Sequence, residues 1–109
     1  MSPAAATQTQ GLLDTFGGKN ADWIDWQGPT SYVNGTGELM TPSAFGSYNE
    51  LLWANASGSQ SGNYYGVCFP VNSGYTQWYL RWFVVATGVE VANAVNLSAE
   101  KLKAFGIGV

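Results

Sequence analysis

Four carboxylates, Asp22, Asp25, Glu50 and Glu90, are the residues of this chain from which a catalytic pair could be drawn. A paired-carboxylate glycosidase needs only two carboxyl groups at a suitable separation across a glycosidic bond. No histidine is present. Its absence removes the commonest general base, the Ser-His-Asp and Cys-His constellations, and the usual zinc and copper ligands. The carboxylates therefore read more simply as turn caps and solvated edge charges, and no catalytic residue is assigned. Asp14, Asp22, Asp25 and Glu38 are too scattered for a calcium loop, whose ligands come at short fixed spacings around a sharp glycine turn. Glycine-rich pieces such as "GSQSG" lack the lysine and the strand-to-helix setting of a phosphate loop. Neither a metal nor a cofactor is expected. The single cysteine, Cys68, sits in the apolar run Val67-Cys68-Phe69 and reads as a small buried side chain rather than a nucleophile.

The aromatic residues are the more informative set: five tryptophans and six tyrosines in 109 residues. Exposed in a row, they would stack on sugar rings; otherwise they fill a core and a subunit interface. Charged residues make up only 10% of the chain, less than half of the usual roughly 25%. Such a surface is better tolerated inside an assembly than alone. The net charge is −3 and the basic residues are Lys19, Arg81, Lys101 and Lys103, too few for a stripe that tracks phosphates, so nucleic acid is not an expected partner. Residues 1–10 hold neither a basic n-region nor a hydrophobic stretch, and no run approaches the roughly 18 apolar residues of a membrane span. Synthesis in a cytoplasm without a signal peptide, and no membrane partner, are the expectations. Asn-x-Ser/Thr triplets beginning at Asn34, Asn55 and Asn96 read as chance in so polar a chain.

The elements that must hold these residues read as short strands. Frequent Gly, Ser, Thr and Asn beside a 46% hydrophobic content indicate a turn-rich β protein, and the length indicates one domain. Residues 1–20 read as a flexible or partner-bound arm, with Leu12, Leu13 and Phe16 at the spacing of one helical turn that Gly17-Gly18 stops. Residues 21–109 form the β domain. An aromatic strand carries Trp23, Ile24 and Trp26 and ends at Gly28-Pro29. Tyr32-Val33 runs into Asn34-Gly35, a strong hairpin signal. Thr41-Pro42-Ser43 marks a short helical corner limited by Gly46. Glu50–Ala54 and Tyr64–Val71 are strand candidates separated by a mobile polar loop, Asn55–Asn63; Pro70 places the end of the second at a sheet edge. Asn72-Ser73-Gly74 makes the next turn. The segment Ser98–Val109 is read as a final strand. Strands at this spacing predict an antiparallel β-sandwich or jelly roll with short helical turns.

The run "WYLRWFVVATGVEVANAV" then poses a question of coverage. In a strand, Trp78, Leu80, Trp82 and Val84 face one way and Tyr79, Arg81, Phe83 and Val85 the other, and both faces are apolar. The Trp78 face is assigned to the core. Arg81, set among apolar residues, needs a carboxylate, and Glu90 across the Thr87-Gly88 turn is the nearest candidate. The expected interface residues are Tyr79, Arg81, Phe83 and Val85, with Trp23, Trp26, Tyr64 and Tyr65 as further aromatic anchors. Trp23 and Trp26 would face opposite sides of their strand, so they make no sugar platform by themselves.

From Gly28 to Gly108 the pattern resembles small structural proteins of tailed bacteriophages, through "GPTSYVNG", "TPSAFG", "WYLRWFVVATGVEVANAVNLSAE" and "FGIG". The resemblance covers about three quarters of the chain. It implies a virion component without an active site, of the capsid cement or decoration type, that binds the major capsid protein or another virion protein in many copies, often as a trimer. An oligomer engaging several capsomers gains avidity from effective concentration even when each contact is weak. The alternative reading is a carbohydrate-binding or host-recognition β-sandwich module that uses exposed aromatics.

Overall fold

The computed structural model describes residues 9–10, 14–16, 19–46 and 49–109, and from residue 21 onward it describes their side chains. Among the described residues, eight strands form one antiparallel sheet: β1 (Thr9–Gln10), β2 (Asp14–Phe16), β3 (Lys19–Gln27), β4 (Glu38–Met40), β5 (Leu51–Ser59), β6 (Tyr64–Pro70), β7 (Trp78–Val84) and β8 (Lys101–Gly108). Their spatial order is β1-β3-β8-β5-β6-β7-β4, with β2 also on β3. The sheet curls into a half-barrel. Its concave face carries Ile24 and Trp26 of β3, Leu102 and Ala104 of β8, Leu51 and Ala54 of β5, Trp78, Leu80 and Trp82 of β7, and Met40 of β4, all buried in one cluster. Alternation along each strand puts these residues on one side of the pleat, and burying them removes the largest apolar surfaces of the chain from water.

Two features bend the sheet. The register of β5 against β8 slips between Leu51 and Trp53 and again between Ala56 and Ser59, and such irregularities raise local twist. Within the second slip Gly58 pairs with Tyr65 of β6, while Ser59 on its far side is again paired with Leu102 of β8. β5 is thus the corner that joins the β3–β8 half to the β6–β7–β4 half.

Several expectations are met. The final strand exists as β8 and lies in the interior of the sheet, because small inward residues Ala104, Gly106 and Gly108 let it pass under the packed rings of Phe45 and its neighbours. Thr41-Pro42 opens a one-turn 3₁₀ helix, Pro42–Phe45, closed by Gly46 at φ 76°. The Trp78 face of β7 is core, and Trp23 and Trp26 point to opposite sides of β3.

Others are corrected. The polar stretch read as a mobile loop is strand as far as Ser59, leaving only Gln60–Asn63 as a turn; backbone pairing with β8 rather than apolar content makes it a strand. Asp14–Phe16 is a strand on β3 and not part of a helical turn, because its backbone finds the edge of β3; Leu12 and Leu13 lie outside the described residues. Residues 1–8 of the expected arm also lie outside them, while Thr9–Gln10 pairs with Asp25 and Ile24. Asn34-Gly35 is a turn but not of a hairpin. Tyr32 exchanges backbone bonds with Ala94 and Val95 instead of with β4, and Leu97 donates to Pro29, so two loops, 28–37 and 89–100, zip together over one end of the half-barrel. The partner run of β7 after Thr87-Gly88 shrinks to one bridge, Phe83 to Glu90, for the same reason: the chain is diverted into that loop pair.

Candidate functional site

A polar lock crosses the core where the two ends of the curled sheet meet. Glu38 on β4 is 5% exposed, and its Oε1 accepts the indole N–H of Trp82 at 2.7 Å and of Trp26 at 3.1 Å. The carboxylate thereby joins β3, β4 and β7. Tyr32, buried in the loop pair, donates its hydroxyl to Glu90 Oε2 at 2.7 Å and accepts the backbone N–H of Trp82 at 3.0 Å. Burial and the neighbouring Glu90 carboxylate hold this phenol well above the usual tyrosine range. Glu90 Oε2 also accepts the N–H of Gly35 at 2.9 Å.

This corrects the expected Arg81–Glu90 ion pair. The loop pair turns Glu90 toward Tyr32 and Gly35, and Arg81 instead lies over the Phe69 ring, 4.8 Å from guanidinium carbon to centroid. Its Nε is buried and has no hydrogen-bond partner among the described residues.

The convex face of β6, β7 and β4 surrounds Arg81. Tyr65 stands opposite Phe83, Val67 opposite Arg81, Phe69 opposite Tyr79, and Leu39 of β4 on the other side of Tyr79. Tyr65 and Phe83 stack with centroids 5.5 Å apart and planes at 17°. Two clefts flank Tyr79: one of about 150 Å³ bounded by Pro29, Val33 and Leu39, the other of about 270 Å³ bounded by Phe69, Val71 and Arg81. Phe69, Val71 and Val33 are all exposed.

Of the eight residues expected at an interface, Tyr65, Tyr79, Arg81 and Phe83 come together on this face, and Val85 is exposed just beyond β7. Trp23 lies on the convex face of β3, in the other half of the sheet. Trp26 is fully buried, because its indole serves Glu38. Tyr64 turns to the concave side and packs edge-on against Trp82, since alternation along β6 sends it opposite to Tyr65. Leu39, Val67 and Phe69 are the members that sequence reasoning missed; the alternation Tyr65-Val67-Phe69 carried the signal.

No family model matches the chain. No curated protein and no solved structure matches it either.

Two of the four candidate carboxylates, Asp22 and Asp25, lie on opposite faces of β3. Asp22 is fully buried on the concave side of β3, whereas Asp25 faces the convex side and pairs with Lys103. Asp22 thus corrects the reading of these carboxylates as solvated charges. Cys68 packs against the core, and burial pushes its thiol up to about 12. Because only the thiolate reacts, labelling by an aromatic disulfide at pH 8 is expected to be on the order of a hundredfold or more slower in the folded protein than in denaturant. Equal rates in the two conditions would contradict the burial of Cys68.

Proposed function

We propose that the protein is a non-enzymatic structural component of a virion, a capsid cement or decoration protein that binds the shell as a homo-oligomer. The virion setting follows from the resemblance to tailed-phage structural proteins. The assembly role is supported by the convex β6–β7–β4 face, and above all by Arg81. Its guanidinium lies over Phe69 without a carboxylate partner among the described residues and lines the cleft beside Tyr79, so a carboxylate entering that cleft from outside would find a cation there.

A second copy of this chain is the occupant that fits first. Among the described residues, Glu50, just before β5, is the acidic side chain that the fold leaves most available, and this reading gives a neighbouring copy's carboxylate to Arg81. The clefts beside Tyr79 have the size to receive single side chains, and aromatic and arginine residues are the ones that dominate binding energy at interfaces. In this reading the capsid protein is met by the rest of the oligomer's surface, with avidity arising from several copies. The finer fold expectation, a sandwich or jelly roll, is supported by the way β5 serves both halves of the sheet: the halves then act as two layers closed by the Glu38 lock.

The experiment is Arg81→Ala followed by sedimentation velocity and thermal melting. The expected outcome is a shift toward lower mass by a tenfold or greater weakening of self-association, as loss of about 1.4 kcal/mol or more produces. Unchanged mass and unchanged melting temperature would defeat the assignment.

A further inference from the structure

The convex face of the other half of the sheet, β3–β8–β5, carries a second aromatic group that the assembly reading does not use. Trp23 on β3 stands opposite Phe105 on β8, and Phe105 opposite Asn55 on β5. Trp53, two residues along β5, meets Phe105 edge-on with centroids 5.9 Å apart, and is 47% exposed. A tryptophan ring left about half in water at a register slip, next to Phe105, is an apolar surface to be explained.

Next along the same strands, on the same face, the surface becomes polar. Asp25 stands opposite Lys103, and Ser57 accepts the backbone N–H of Lys103 at 2.9 Å. With Gly58, Gln60 and Lys101 these residues line an open groove of about 360 Å³. That is the scale of a small-ligand site and not of a protein interface. Lys103 is already engaged, paired with Asp25 and held over the Trp23 ring at 4.1 Å. Lys101 is exposed and has no ion-pair partner among the described residues; the carboxylate of the adjacent Glu100 accepts the Ser61 hydroxyl instead. Two of the four basic residues of an acidic protein thus line one groove, beside an aromatic surface.

We propose that this surface binds an acidic saccharide. A pyranose ring has an apolar C–H face and a rim of hydroxyls. The C–H face packs on the electron-rich face of an aromatic ring, here Trp53, while the hydroxyls take the Gln60 amide and the amide nitrogen of Asn55, whose oxygen accepts the Ala56 N–H; the Ser57 hydroxyl is already bonded to Gly58 and Lys103. Trp53 is in register with Ile107, six residues along β8 from Lys101, so it is a carboxylate on a unit further along the saccharide chain, not on the adjacent one, that meets Lys101. A neutral sugar would leave that charge unused, and a basic ligand would be repelled by it. The site is independent of the β6–β7–β4 face, so it stands or falls separately from self-assembly.

The test is calorimetric titration, with tryptophan fluorescence in parallel, using a tetramer of galacturonic acid as the probe and the neutral tetramer cellotetraose as comparator. Saturable binding of the acidic tetramer is expected, with weaker binding of the neutral one. Trp53→Ala weakens both by about tenfold, and Lys101→Gln weakens only the acidic ligand, by about fivefold, as the loss of one ring contact and of one exposed charge contact predicts. Both positions are exposed, and unchanged melting temperatures establish that the variants fold. No heat and no fluorescence change with the acidic tetramer would overturn the proposal. Binding that survives both substitutions, or equal affinity for the neutral tetramer, would overturn it as well.

Discussion

Glu38→Ala is expected to destabilise the fold by about 3 kcal/mol, because it leaves two buried indole N–H groups without an acceptor, each at a cost of roughly 1–3 kcal/mol. Trp26 and Trp82 are both fully buried, so neither ring reaches water without opening the core. The substitution also removes the group that ties β3 to β4 and β7 across the concave face. For a domain of this size each kcal/mol shifts the melting temperature by about 4–8 °C, so a fall of roughly 15 °C or more is anticipated. Glu38→Gln keeps an oxygen acceptor in place and is expected to cost about 1 kcal/mol, the worth of replacing a charged by a neutral hydrogen bond. Chemical denaturation of the two variants side by side decides the matter. A loss below about 1 kcal/mol for alanine would mean that the indoles find other acceptors, and the lock would not hold the sheet ends together.

The second large effect is at Gly37, where the chain enters β4. Its φ is +79°, in the left-handed region, and a Cβ built there would lie 2.3 Å from the backbone oxygen of Leu80. The first feature alone costs roughly 1–2 kcal/mol for a residue with a side chain. The second cannot be relieved by rotating a side chain, since the obstacle is backbone of β7. Relief requires moving β4 off β7, and Glu38, the next residue, would be drawn away from Trp82. Gly37→Ala is therefore expected to cost at least about 3 kcal/mol, the range of backbone-strain and core-disruption mutants. Gly35 provides the control. It has φ +85° with open space around its Cβ position, so Gly35→Ala isolates the strain term and should cost only about 1 kcal/mol. Equal losses at the two positions, measured by urea denaturation, would contradict the close approach of β4 to β7.

The strands with the strongest alternation were legible in the sequence. Trp78, Leu80 and Trp82 announce a core face, and Lys101–Gly108 alternates polar and small or apolar residues along β8. Residues 55–59 were not legible, because Ser, Gly and Asn are turn formers by composition, and only the presence of β8 as a partner makes them strand. The partners of the charged groups were the least legible. Glu90 lies near Arg81 along the hairpin, yet the long-range pairing of loop 28–37 with loop 89–100 carries it to Tyr32, a contact between residues 58 positions apart. The buried role of Glu38 has the same origin, since its indole partners come from strands 12 and 44 residues away. The neighbour of Trp53 is also a long-range feature. With β5 extended and registered on β8, the ring falls beside Phe105. Trp26, by contrast, was read as an anchor at an interface when its indole is committed to the core.

The central claim is that the β6–β7–β4 face, with Arg81 at its centre, is covered by another copy of the chain. Size-exclusion chromatography coupled to light scattering, at micromolar concentration and moderate salt, tests it most directly. The expected result is a closed oligomer, with a trimer at three times the 11.6 kDa chain mass as the favoured form. A sharp monomer peak across that concentration range would contradict the claim.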